Sequence, residues 1–143
     1  MPKCSDFSIA SINKDLDTLA RTLYGEARGE LYGGKVAVAC VVINRVKARS
    51  WYGDSVAAVC LKPYQFSCWN ADDPNREKIE AATEDDDDFR ECLDVATRAL
   101  AGEFPDLTFG SRHYHTPGVT PKWSRGKTPI IKIGEHLFFN NVI

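Results

Sequence analysis

From Val36 to Ile43 every residue of this chain is apolar, so the segment has no polar side to offer to water. Such a run must be enclosed on all sides, and the rest of the molecule has to be wrapped around it. Its β-branched content would suit a buried strand. Its extension through Val46, and the presence of Ala37, Ala39 and Arg45, favour a buried helix over Lys35–Lys47. A chain of 143 residues supports one core of this kind. The reading is therefore a single domain over residues 1–143, with 1–14 as an N-terminal extension and no repeat, low-complexity tract or linker.

A second helix follows from Leu16, Leu19, Ala20, Leu23 and Ala27, which recur at helical spacing and define one face. Gly25 and Gly29 weaken its end, and Gly33-Gly34 turns the chain. Asp54 is the expected N-cap of a short helix ending near Leu61, since Pro63 cannot continue it. Pro63–Asn75 reads as a structured loop holding Gln65, Phe66, Trp69 and Asn70. The acidic run Glu84–Asp88 precedes Phe89, Cys92, Leu93, Ala96 and Leu100, and places negative charge where a helix N-terminus favours it. A calcium loop is the sharper alternative, but the alternating ligands and glycine of an EF-hand are missing. Beyond Thr108 the pattern changes to short strands and loops. The fold class expected is α+β, mainly α, with a small β region near the C-terminus.

The net charge of −2 conceals an uneven distribution. Residues 71–106 carry four Lys/Arg against thirteen Asp/Glu, whereas residues 111–143 carry five against one. No run of cations is dense enough for a phosphate-binding stripe, so nucleic acid is not an expected partner. No apolar run approaches the roughly 18–20 residues that span a bilayer, and no stable membrane association is expected. The start, MPKCSDFSIASINKD, lacks the apolar core and cleavage site of a signal peptide, which points to the cytoplasm. The five cysteines at 4, 40, 60, 68 and 92 show no CxxC spacing and read as reduced thiols.

The stretch Leu19–Glu30 carries the most chemistry. At helical spacing Glu26 lies roughly 80° from the centre of the apolar face, at the margin between core and solvent. Glycines on either side leave room for a ligand. A carboxyl so placed is partly desolvated, has a raised pKa and can serve as a general acid near neutral pH. If the helix persists, Glu30 shares its side and raises that pKa further by repulsion. The plain alternative is two solvated glutamates at a helix end with Arg28 as counter-ion.

YGEARGE, then GGKVAVACVVINRV, then PYQFSCW and finally GEHLFF, in that order from about Leu16 to Phe139, resemble the SleB/CwlJ-type cell-wall hydrolases. That family includes spore-cortex-lytic enzymes and related phage lysins. The resemblance implies a lysozyme-like, lytic-transglycosylase-like catalytic domain whose essential acid is Glu26. A catalytic domain without an export signal or wall-binding module fits a phage endolysin kept in the host cytoplasm until release. The implied substrate is the glycan strand of bacterial peptidoglycan, cut between N-acetylmuramic acid and N-acetylglucosamine. The protein is expected to act as a monomer, with no cofactor and no metal.

A lytic transglycosylase can use one carboxyl twice. Glu26 would protonate the leaving oxygen, then take the proton of the muramic acid C6 hydroxyl, giving a 1,6-anhydro sugar. Hydrolysis, as a muramidase, needs a second carboxylate. Glu30 is the near candidate, and Asp54 or Asp72 the distant ones. Tyr24, Phe66, Trp69, Tyr114 and Trp123 can stack on sugar rings, and Gln65 and Asn70 can bind acetamido groups. Three other readings compete. One is a zinc amidase or peptidase using His113, His115 and His136, although HExxH is absent. Another is a Cys68–His115 thiol peptidase. The third is a wall-binding module with no activity.

Overall fold

The computed structural model describes residues 9–142. Five helices precede a small sheet: α1 Ile9–Ala27, α2 Tyr32–Ala48, α3 Val56–Leu61, α4 Asn75–Ala81 and α5 Asp87–Leu100. Strands β1 His113–His115, β2 Ile131–Ile133 and β3 His136–Phe139 then form an antiparallel sheet in the order β1-β3-β2. The mainly helical α+β class is as the sequence predicts. α1 takes in Ile9–Lys14, which fall within the span expected as an N-terminal extension; residues 1–8, and Cys4 with them, lie outside the described residues.

α2 accounts for the all-apolar run. Val38 and Val42 point into the main core with Leu19, Leu23, Ile79, Val59 and Val95. Ala37 and Val41, on another side of the same helix, pack against Phe138 of β3. Helix and sheet therefore consume different faces of one segment, and no face is left for water. α1 covers α2, and α3, α4 and α5 all pack on α1.

Local chemistry sets the remaining boundaries. The N-cap of α3 is Ser55, not Asp54: the Ser55 hydroxyl accepts from the Ala58 N–H at 3.1 Å. Asp86 caps α5 by accepting from the N–H groups of Asp88 and Phe89 at 2.8 and 3.3 Å, with Asp87 and Asp88 in the first turn. The acidic run is a helix start. α4 begins at the end of the expected loop, and its sequence Asn-Arg-Glu-Lys-Ile-Glu-Ala has one buried apolar residue, Ile79, too few for a periodic signal. Cys40, Cys60, Cys68 and Cys92 are free and buried.

Candidate active site

Glu26 sits in the last turn of α1, partly buried, where the helix meets the sheet. Its Oε1 accepts from the Tyr114 hydroxyl at 2.7 Å. Burial pushes the Glu26 carboxyl above its ordinary value, and the charge of Asp73 adds to the rise. Hydrogen bonds from Tyr114 and Cys68 and the charge of Arg45 oppose it without cancelling it. The result is an acid that holds its proton to higher pH than a solvated glutamate.

The four groups that act on this acid, Tyr114, Cys68, Asp73 and Arg45, come from elements that sequence periodicity did not connect. β1 is brought onto α1 by the C-terminal half of α2. There Asn44 donates to the Ser111 carbonyl at 3.0 Å, and Arg45 Nε donates to the Arg112 carbonyl at 2.8 Å. Asn44 also donates to Asp106 at 2.8 Å, and Asp106 in turn accepts from Thr108 and Gly110, which shapes the loop entering β1. Tyr114 follows two residues later and meets Glu26. The Asn44-Arg45 pair at the end of the apolar run is thus the device that aims the tyrosine.

Arg45 is buried, with its guanidinium 5.0 Å from the centre of the Phe66 ring and 5.2 Å from that of Tyr52. One terminal nitrogen has no hydrogen-bond partner. A cation held in an apolar sandwich so close to the site favours the carboxylate form of Glu26 and limits how far burial can raise its pKa.

Gly25 does not make room for a ligand. A Cβ there would fall 2.7 Å from both Cβ and Sγ of Cys68, so the space is already filled by that side chain. Cys68 itself is 1% exposed, and burial followed by the nearby Glu26 charge pushes its thiol far above the ordinary value. It is a packing residue and a weak donor, not a nucleophile.

Glu30 is not on the helix of Glu26. α1 ends at Ala27, and the Glu30 carboxylate turns instead to the β2–β3 hairpin, accepting from the Glu135 N–H at 3.0 Å. A Cβ on Gly134, which has φ 58°, would collide with that carboxylate, so this turn needs glycine for two reasons. The side chain clamps the hairpin onto the helical body. The expected repulsion between Glu30 and Glu26 therefore loses its geometric basis, and Asp73 is the carboxylate whose charge bears on Glu26. Asp54 and Asp72 are exposed and lie along separate grooves.

The expected sugar-contacting residues separate into distinct places. Tyr24 lies two positions from Glu26, about 200° around the helix. Its hydroxyl donates to Asp86, and its ring packs on Phe89 and under Arg28. Phe66 is core, at 1% exposure. Trp123 packs on His113, His115 and Phe139. Those residues occupy the face of the sheet opposite Tyr114, because side chains alternate along β1. Tyr114 holds the acid. Trp69 and Asn70 line a groove, and Gln65 is half-buried in the loop before them. The indole N–H of Trp69 donates to Thr22 Oγ1 at 2.9 Å, which fixes the tryptophan one helical turn before Glu26.

The three histidines do not converge. His113 and His115 share one face of β1, whereas His136 lies on the other face, 4.8 Å between ring centres from Tyr114. A zinc site built from these three is ruled out by that alternation. Among the described residues no group of three or more His, Cys, Asp or Glu side chains is placed to hold a metal. The Cys68–His115 pairing fails likewise, with His115 stacked on Phe139 and the thiol facing α1.

The helical body with its small C-terminal sheet has known counterparts. The chain belongs to the cell wall hydrolase family, whose model matches residues 29–139, starting three residues past Glu26. It is 35% identical over 129 residues to a spore cortex-lytic enzyme of Halalkalibacterium halodurans and 33% identical over 126 residues to that of Bacillus subtilis. These alignments cover 90% and 88% of this chain but 35% and 37% of the relatives, so the chain spans little more than a third of their length. In structure it is similar to the catalytic domain of the germination-specific lytic transglycosylase SleB from Bacillus anthracis. There the TM-score is 0.69 at 31% identity, covering 87% of this chain and 93% of that one. The catalytic domain of the Bacillus cereus SleB protein gives 0.68 at 30% identity, covering 88% and 89%.

Proposed function

We propose that this chain is a peptidoglycan glycosidase that cuts the glycan strand between N-acetylmuramic acid and N-acetylglucosamine by lytic transglycosylation. The observation that carries this reading is the Glu26–Tyr114 pair: a carboxyl with a raised pKa and one oxygen already committed. With Oε1 engaged by the tyrosine, the proton resides on Oε2. That oxygen protonates the leaving group, and the carboxylate formed is stabilised by Tyr114, Cys68 and Arg45 until it removes the C6 hydroxyl proton. The C6 oxygen closes on the anomeric carbon, and no water enters the product. The structural similarity to the catalytic domain of a lytic transglycosylase supports the same chemistry.

Digestion of purified peptidoglycan in heavy-oxygen water tests the reading. The expected fragments end in 1,6-anhydromuramic acid and carry no label. Stoichiometric label at a reducible terminus would make the enzyme a muramidase, with Asp73 as the acid to examine as its second carboxylate, since its charge already acts on Glu26.

The proposal includes the endolysin role. No helix among the described residues is long and apolar enough to cross a membrane. Expression in a bacterial host is expected to leave cells intact until the membrane is permeabilised, and then to lyse them. Lysis during expression, without permeabilisation, would overturn that role while leaving the chemistry standing.

A further inference from the structure

The groove holding Trp69 and Asn70 also includes Leu61, Tyr64, Asp72 and Arg76. Tyr64 combines two features that it shares with Phe109, but unlike Phe109 it lines this groove. It is 87% exposed, and its backbone lies at φ 64°, a conformation that bulky residues avoid. The core gains nothing from a ring held in solvent on a strained backbone, and strain of this sort is concentrated where a side chain must be presented. Trp69 lines the same groove. Its indole is pinned to Thr22, its carbonyl accepts from Arg76 at 3.0 Å, and Arg76 Nε pairs with Glu80 at 2.8 Å. That wall is pre-organised.

Trp69 ties the groove to the helix that carries the acid. Thr22 precedes Glu26 by one turn of α1, about 6 Å along the helix axis. Cys68, the neighbour of Trp69, packs on Gly25 beside Glu26. A groove lined by two aromatic residues, an amide and a carboxylate suits a pyranose ring, whose C–H face stacks while its hydroxyl and acetamido groups hydrogen-bond.

We infer that this groove is a distal subsite for the glycan strand, holding N-acetylated sugars beyond those at Glu26, with Tyr64 as its outer platform and Trp69 as its inner wall. The inference rests on the glycosidase reading above and extends it along the strand. It makes Tyr64 a binding residue that acts at a distance from the bond being cut.

The test compares Tyr64→Ala with Phe109→Ala. Phe109 is a matched control: it is 63% exposed, has φ 54°, and is not among the residues lining this groove. In a Glu26→Gln background, retention on soluble glycan strands is expected to weaken about tenfold for Tyr64→Ala, the loss of one stacking contact, and less than twofold for Phe109→Ala. In the active protein the loss is expected in KM for long strands rather than in kcat. Equal retention of the two variants, with the Glu26→Gln parent bound, would overturn the distal subsite alone. A parent that does not bind glycan strands would overturn both the subsite and the proposed substrate. Persistent lysis by the parent, with retention still lost in Tyr64→Ala, would overturn the role of Glu26 and support the groove.

Discussion

The Tyr114 hydroxyl donates to Glu26 Oε1 at 2.7 Å, joining residues 88 positions apart in the chain. The bond ties the end of α1 to the middle of β1 and engages one of the two carboxyl oxygens. Tyr114 is itself partly buried, and desolvation together with the neighbouring Glu26 carboxylate pushes its own pKa well above the ordinary range. It therefore remains a donor throughout the pH range in which Glu26 titrates.

Glu26→Gln is expected to abolish lysis, by at least about 10²-fold, since an amide can neither give nor recover a proton. It is also expected to stabilise the fold at neutral pH. The Glu26 pKa is raised on folding, so the folded state binds the proton more tightly than the unfolded chain. Stability from this group is therefore full below the ordinary value near 4.5 and is lost as pH rises through the folded value. Melting curves should show the variant ahead of the wild type at neutral pH and the gap closing below about pH 4.5. Retention of full lysis would remove Glu26 from the mechanism.

Tyr114→Phe removes a hydrogen bond that favours the carboxylate, so the Glu26 pKa should rise further. The first chemical step needs the protonated acid. The alkaline limb of the kcat/KM profile is therefore expected to move to higher pH, with activity down about tenfold or more as the carboxyl loses its orientation. An unmoved alkaline limb would show that the bond does not tune the acid.

Asp73→Asn acts with the opposite sign. The Asp73 charge raises the Glu26 pKa, so its removal should shift the alkaline limb to lower pH. For a transglycosylase, activity below the limb should stay within a few-fold of wild type. A loss of about 10²-fold or more at every pH would instead identify Asp73 as a base or nucleophile and support hydrolysis.

Glu30→Ala leaves the Glu135 N–H without its acceptor and frees the hairpin from the helical body. A loss of about 0.5–1.5 kcal/mol in stability is expected, with faster amide exchange across β2 and β3 and an unchanged pH profile. A displaced pH profile with unchanged stability would restore Glu30 as a modulator of the acid.

Much of the helical frame is legible from the chain. The repeat of Leu16, Leu19, Ala20, Leu23 and Ala27 marks α1, the all-apolar run marks α2, and the clustered aspartates mark the start of α5, because each signal is local and periodic. Ser55 against Asp54 is a one-residue difference, since either side chain can cap a helix. α4 carries no pattern, because it is held by one buried isoleucine and by backbone carbonyls of Ile79, Glu80 and Ala82 that accept from Arg21.

The site divides along the same line. Local spacing identifies Glu26 as a carboxyl at the edge of the core, because helical geometry fixes where a side chain points relative to its own apolar face. It does not identify the company the carboxyl keeps. Tyr114, Arg45, Cys68 and Asp73 reach Glu26 through long-range packing, and their effects on its pKa depend on distances that no local pattern encodes. Similar residue types therefore ended in different roles: Glu30 clamps a hairpin, Tyr24 anchors the start of α5, Phe66 fills the core, and Trp69 walls a groove. Residue type and spacing determined which groups were available for chemistry. Only the tertiary structure decided which of them share a desolvated site, because burial and electrostatic coupling belong to the packed molecule and not to the chain.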